Sequence, residues 1–287
     1  MDLTPIFTDA LKESLNIILI IFVLMVVIEF IILKYKHRIT KLISKKNFLS
    51  YIIASIMGSI PGCIGTFAMD TLYMTGLVGF GGLMATMIAT SGDEAFLILS
   101  MMADGKIPVL TVITLLGSLF ILGIIGGYIA DKLKDRYKWK THNKCKIVHH
   151  KDEFHIKHFF QKHIYQHIIK KHLWQIFLWL FAALFVIGLI SQNTSIETMF
   201  AGSGVIVIFI IAALLGLLPI SGPNVVLIVM FAQGIIPFSI VLVNSIIQDG
   251  HGLLPIIGFS LEDAVKIKIF NFIFGVIIAG IVLLAGF

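Results

Sequence analysis

Charge is scarce in this chain. Only 13% of its residues are charged, against 58% hydrophobic, and the mean hydropathy is +1.00. That balance excludes a soluble globular domain. Cysteine is nearly absent too: Cys63 lies in an apolar stretch and Cys145 in a hydrophilic one, so no disulfide framework is expected. There is no HExxH, no Gly-x-Ser-x-Gly and no Walker A pattern. The chain is therefore not expected to be an enzyme or to hydrolyse ATP, and any transport it performs must draw on an ion gradient or on the substrate's own. A signal peptide is not expected, because Asp2, Asp9 and Glu13 face only Lys12 ahead of the first apolar run and no small-residue cleavage pattern follows it.

Apolar runs approaching the roughly 20 residues that cross a bilayer as helix fill most of the remainder, beginning with "LNIILIIFVLMVVIEFIILKY" (15–35). The chain reads as an all-α integral membrane protein. Its net charge of +6 comes from two basic stretches rather than from a surface suited to nucleic acid. One is "KYKHRITKLISKK" (34–46); the other is the single extended polar segment, 131–172. Lys and Arg accumulate on the cytoplasmic side of membrane proteins, so both stretches are placed inside. The polar segment divides the chain into an N-terminal membrane unit (1–130), a His-rich cytoplasmic loop (131–172) and a C-terminal membrane unit (173–287).

The two membrane units read as copies. At an offset of 158 residues, Gly58 falls on Gly216, Pro61 on Pro219, Gly76 on Gly234, Phe80 on Phe238, Gly92 on Gly250 and Gly117 on Gly275, without a gap. Gly and Pro fix turns and helix breaks, which a duplicated membrane fold must retain. The basic run 34–46 follows the first span of one copy, whereas "QNTSIETMFAGS" (192–203), with Glu197 and no Lys or Arg, follows its counterpart in the other. Opposite charge signatures at equivalent positions predict inverted repeats. Inversion needs an odd number of crossings, and the simplest reading is five segments per copy: 15–34, 48–69, 76–90, 93–104 and 107–130, with counterparts 158 residues on. That gives about ten segments, with both termini outside. The short pairs 76–104 and 234–262 either span or re-enter, which leaves the parity unchanged.

Helix breaks concentrate the polar chemistry. "GSIPGCIGT" (58–66) and "GLLPISGPN" (216–224) free backbone groups inside apolar runs, and "TSGDEA" (90–95) and "QDGHGL" (248–253) add ionisable side chains. Such interruptions are tolerated at membrane depth where they line a cavity or are buried in protein. The offset places Ser91 on Asp249 and Asp93 on His251, so a two-fold would bring both loops together. Local readings compete: Ser91 and Glu94 fit a capping box, and Asp249-Gly250 fits a surface turn. Asn244, Gln248 and His251, spaced by four and three, predict one polar stripe on a helix. Asp93, Asn244, Asp249 and His251 together make a set of carboxylate, amide and imidazole donors suited to Mn²⁺ and similar ions, with Ser91, Glu94, Asn224 and Gln248 along the pathway. Cys63 is either a softer ligand or a small packing residue. Glu29 is either a proton carrier or a snorkelling end group. Metal and protons competing for the same carboxylates would couple export to a proton gradient.

"IPGC" (60–63), "ISGP" (220–223), "ATSGDEAFLIL" (89–99) and above all "NSIIQDGHGLLP" (244–255) resemble the signatures of a manganese-transporter family, also described as ten-span heavy-metal exporters and related by name to arsenic efflux proteins. The resemblance implies export of a metal ion, manganese first. Ile64 follows Cys63, and Ile220 and Ser221 stand where the family commonly has Gly and Cys in the second copy, so a site with two thiolates is not expected.

Eight of the ten histidines lie between His142 and His172. His149, His150, His155, His158, His163 and His167 form the densest part. His155 and His158, and His163 and His167, take spacings that share a helical face, which predicts divalent-metal capture by the loop; a solvated basic linker is the alternative. The expected partners are the lipid bilayer, the metal ion and protons, in the plasma membrane, with no tightly bound cofactor; a homodimer is open to it. Two other functions remain. Helix N-termini at Gly92 and Gly250 would suit an oxyanion or arsenical exporter, and the His loop would suit a non-transporting metal sensor.

Overall fold

The computed structural model describes residues 4–19, 22, 23, 26, 48–74, 76–141, 174–193, 204–218 and 222–287, and among these every regular element is a helix. The first half contains α1 (4–19), α2 (Phe48–Ser59), α3 (Ile64–Met74), α4 (Phe80–Ala89), α5 (Glu94–Ala103) and α6 (Val109–Tyr137). The second contains α7 (Trp174–Asn193), α8 (Gly204–Leu215), α9 (Gly222–Ala232), α10 (Phe238–Ile247), a single 3-10 turn (Gly250–Gly252), α11 (Leu253–Phe259) and α12 (Leu261–Leu284).

Adding 158 to the bounds of α3 and α4 gives those of α9 and α10. The backbone repeats as well: Gly76 and Gly234 have φ of 76° and 71°, and Gly92 and Gly250 have 52° and 50°. A side chain is strained at such angles, which is why glycine marks these positions in both halves. Packing follows suit. In each half the long last helix lies on the interrupted one, α6 on α4 and α12 on α10, while α3 rests on α11 and α9 on α5 across the two halves.

Four helices among the described residues are long and apolar enough to cross a bilayer: Phe80–Ala103, Val109–Tyr137, Phe238–Phe259 and Leu261–Leu284. At 1.5 Å per residue, 24 residues reach about 36 Å, enough for a hydrocarbon core of about 30 Å. The first and third of these spans are interrupted and largely buried; α6 and α12 shield them. α6 turns Leu110, Ile113, Ile121 and Ile125 outward and Leu115, Leu119, Gly123 and Gly127 inward. A Cβ on Gly123 would lie 2.7 Å from the Ala85 carbonyl oxygen, and one on Gly127 would lie 2.5 Å from that of Gly81. Small residues four apart thus set the close approach of α6 to α4, as membrane helices do where packing rather than hydrophobicity drives association. Ser260 caps α12, its hydroxyl accepting from the Asp263 amide at 3.2 Å.

Two expectations about the segments are corrected. Residues 76–90 and 93–104 are neither two spans nor a hairpin: α4 and α5 do not pack side by side, and together they form one interrupted span. Beyond Gly92, Asp93 is already right-handed helical (φ −73°, ψ −20°), so the break is short and the helix resumes. The fold-back lies instead within 48–69. Pro61 and Gly62, the latter at φ 89°, turn the chain so sharply that a Cβ on Gly65 would fall 2.1 Å from the Met57 carbonyl oxygen. The basic run 34–46, Glu29, Glu197 and the loop histidines from His142 to His172 lie outside the described residues.

Candidate metal centre

The interruptions meet in the interior. The Gly62 amide, in the turn between α2 and α3, donates to the Gly92 carbonyl at 2.9 Å. Thr66 and Thr90 hydroxyls lie 3.4 Å apart beside it, and Thr90 also accepts from the Gly92 amide at 3.2 Å. Gly252 from the other half seats against Thr66, where a Cβ would come within 2.4 Å of the methyl carbon. Backbone groups released by one break thus find partners in the next, which is the condition for breaking a helix at membrane depth.

This packing gathers Cys63, Asp93 and His251. One ligand atom from each falls within 4.8 Å of the other two. The Cys63 thiol is 3.8 Å from Asp93 Oδ1, and His251 Nδ1 is 3.8 Å from Asp93 Oδ2. Ligand atoms bound at about 2.0–2.3 Å to a tetrahedral ion stand about 3.3–3.8 Å apart, so the centre needs little closure to hold one. Asp93 bridges the other two side chains and supplies the carboxylate charge. Cys63 and Asp93 are buried, whereas the His251 side chain retains 13% exposure, leaving that side open to approach.

The other residues singled out from sequence sort into two further clusters. Glu94 accepts from Asn224 Nδ2 at 3.0 Å on one oxygen and from Gln248 Nε2 at 3.3 Å on the other. Asn224 also donates to Gln248 Oε1 at 3.3 Å and accepts from Asn244 Nδ2 at 3.1 Å, and Asn244 reaches the Ala212 carbonyl at 3.0 Å. Asn244 is therefore tied into an amide and carboxylate network rather than placed beside Asp93. Asp249 stands in the third cluster. Its Oδ2 is 2.8 Å from Lys268 Nζ and its Oδ1 accepts from Asn271 at 2.8 Å, while Lys268 also donates to the carbonyls of Gly216 and Ile247 at 2.9 and 3.0 Å. An internal cation thus occupies Asp249.

The stripe expected of Asn244, Gln248 and His251 is not one helical face. α10 ends at Ile247, and the left-handed Gly250 redirects His251 into the 3-10 turn. Ser91 does not cap α5 either. Asp93 holds the N-cap position without a side-chain cap bond, and the buried Ser91 hydroxyl has no hydrogen-bond partner among the described residues. Sequence reasoning passed over Lys268, Asn271 and Asp70, although charged and amide residues inside "VKIKIFNFIF" and "TFAMDTLYM" were a visible signal, since intramembrane polar side chains are rarely incidental.

Against protein-family models, residues 10–201 and 140–285 match the family described as "Putative, 10TM heavy-metal exporter". The chain belongs to this family. It is thereby a multi-pass membrane protein of a heavy-metal exporter family, in keeping with its four long apolar helices. No curated protein and no solved structure matches it.

Proposed function

We propose that this chain is a secondary exporter of a divalent transition-metal ion, bound midway through the membrane by Cys63, Asp93 and His251. The observation that carries the reading is the convergence of these three donors, Cys63 from the turn between α2 and α3 and Asp93 and His251 from the interruptions of two spanning helices, one in each half. Sulfur, carboxylate and imidazole together suit zinc, cobalt and manganese; the thiol shifts the balance from manganese towards zinc. Glu94, Asn224, Gln248 and Asn244 flank the centre and shape the pathway. Carboxylate and imidazole ligate only without their protons, so metal affinity at the centre falls as the pH is lowered.

Inverted repeats support alternate access. Phe80, which opens α4, touches Trp139 just past α6, and the Lys140 carbonyl accepts from Lys266 near the start of α12 at 2.6 Å. These ends share one membrane face. At the opposite face Asp104, just past α5, accepts from Asn16 in α1 at 3.1 Å, and Lys106 pairs with Glu13. Because α11 ends where α12 begins, the α10–α11 span finishes on the face where α4–α5 starts. The two interrupted spans run antiparallel, as copies related by an axis in the membrane plane must. The positive-inside rule puts the Lys140 face and the 131–172 loop in the cytoplasm of a plasma-membrane protein, with both termini outside.

An oxyanion substrate fits less well, since Asp93 and Glu94 place two carboxylates at the N-terminus of α5, where an anion would need that end free. The test is efflux from cells stripped of their own exporters, loaded in turn with Mn²⁺, Zn²⁺, Co²⁺, arsenite and phosphate. Export of divalent metal alone is expected. Export of an oxyanion without metal would sink the reading, and no flux of any of them would favour the sensor.

The loop histidines lead to a separate expectation. Replacing all eight, His142 to His172, by Gln should slow export at low metal concentration and leave it unchanged at saturation, because the loop captures metal before the transmembrane site does. Loss of export at saturating metal, with normal yield in the membrane, would move the transport site into the loop.

A further inference from the structure

Among the described residues, Asp70 is an intramembrane carboxylate that the metal centre and its neighbours leave unused. It lies within α3, it has no solvent exposure, and neither of its oxygens has a hydrogen-bond partner among the described residues. A bare carboxylate at that depth is too costly to keep without a counter-charge or a proton. Asp70 belongs to no group of three metal-ligating side chains among the described residues, and a metal ion requires several oxygen ligands, whereas a proton needs only one.

The surroundings supply a route. Tyr73 follows one turn along on the same face of α3, and its hydroxyl donates to Asp263 Oδ2 at 2.8 Å. Asp263 Oδ1 lies 3.7 Å from Lys266 Nζ, which also binds the exposed Glu262 and the Lys140 carbonyl, each at 2.6 Å. Polar groups thus run from Tyr73, one turn beyond Asp70, to the face that carries Lys140. On the other side, α3 packs on the 3-10 turn that bears His251.

We propose that Asp70 binds the exchanged proton at a site separate from Cys63, Asp93 and His251, and releases it towards the Lys140 face through Tyr73 and Asp263. Its coupling role rests on the export reading; its proton does not. The full chain is reconstituted in liposomes containing a pH dye and a metal dye, with Zn²⁺ as the probe. Wild type is expected to move protons against the metal. Asp70→Asn should keep zinc binding by calorimetry and zinc flux down its own gradient, yet lose proton counterflow and the ability of a pH gradient to drive uphill flux. Asp70→Glu should restore part of it, and Tyr73→Phe should slow it. A purely structural Asp70 would lower yield or thermal stability and leave the zinc-to-proton ratio unchanged, which overturns the proposal, as would counterflow of sodium in place of protons. Infrared spectroscopy provides the independent arm: the carboxylic C=O band of a protonated acid should disappear in Asp70→Asn. If wild type moves no metal, the export reading falls and the Asp70 site stands or falls on that band alone.

Discussion

Replacing Asp93 by Asn should abolish metal binding and export while leaving the fold intact. Asp93 stands between the Cys63 thiol and the His251 imidazole, 3.8 Å from each, so the substitution removes the one acidic group that both other ligands share. Changes to partners outside the coordination sphere already cost about 10–100-fold in metal affinity; loss of the bridging carboxylate should exceed about 100-fold by the same measure. Asn serves an N-cap as well as Asp and has the same volume, so α5 should start normally. Calorimetry on protein with its loop histidines replaced reads this directly. Affinity in the wild-type centre should also fall on acidification, because protons compete for Asp93 and His251. Cys63→Ser should weaken Zn²⁺ more than Mn²⁺, since sulfur is the softer donor. Wild-type affinity in Asp93→Asn would displace the centre altogether.

The difference between what was legible in the sequence and what was not follows from which interactions are local. Gly92 and Gly250, and Gly76 and Gly234, announce left-handed turns by identity alone, because other residues rarely tolerate φ near 50–76°; the breaks and the offset of the two halves could be read from them. Cys63, Asp93 and His251 could be singled out as polar or reactive groups beside those breaks, and the offset of the two halves pairs 93 with 251, whose side chains lie 3.8 Å apart. The direction of the chain after a break was not legible. Pro61-Gly62 and Gly92 look alike as interruptions, yet one folds α3 back on α2, which packs on α4 and α6, and the other lets α5 resume. Nor could periodicity show that Asp249 is held by Lys268 and Asn271 from α12. A carboxylate and its counter-ion nineteen positions apart in sequence leave no local trace, and the offset and the donor chemistry alone placed Asp249 with the metal.

That last reassignment yields the second large effect. If Lys268 neutralises Asp249, removing either partner strands an uncompensated charge in a site where Asp249 is buried and the Lys268 side chain nearly so. Breaking a buried pair in this way costs about 3–5 kcal/mol, enough to unfold a marginal membrane protein or to strip it from the membrane. Lys268→Met should therefore reduce yield and thermal stability sharply, and Asp249→Asn should do so as well, since the ammonium would keep only the carbonyls of Gly216 and Ile247. Removing both charges together is the informative case. Replacing a buried ion pair by uncharged groups of similar size is often neutral or stabilising, and the side-chain amide introduced at position 249 could still meet Asn271 by a hydrogen bond. The double variant Asp249→Asn, Lys268→Met should thus recover most of the lost stability and bind Zn²⁺ through Cys63, Asp93 and His251 with near-normal affinity. Asp249 as a metal ligand makes the opposite forecast: the double variant would be stable and would not bind. A thermal-shift series with and without Zn²⁺ on wild type, the two single variants and the double variant separates the two, because a ligand that binds only the folded state raises its stability by an amount that grows with the logarithm of its affinity. A zinc-induced shift that survives in the double variant and vanishes in Asp93→Asn places the ion at the three-ligand centre and leaves the Asp249 pair to hold α12 against the end of α10.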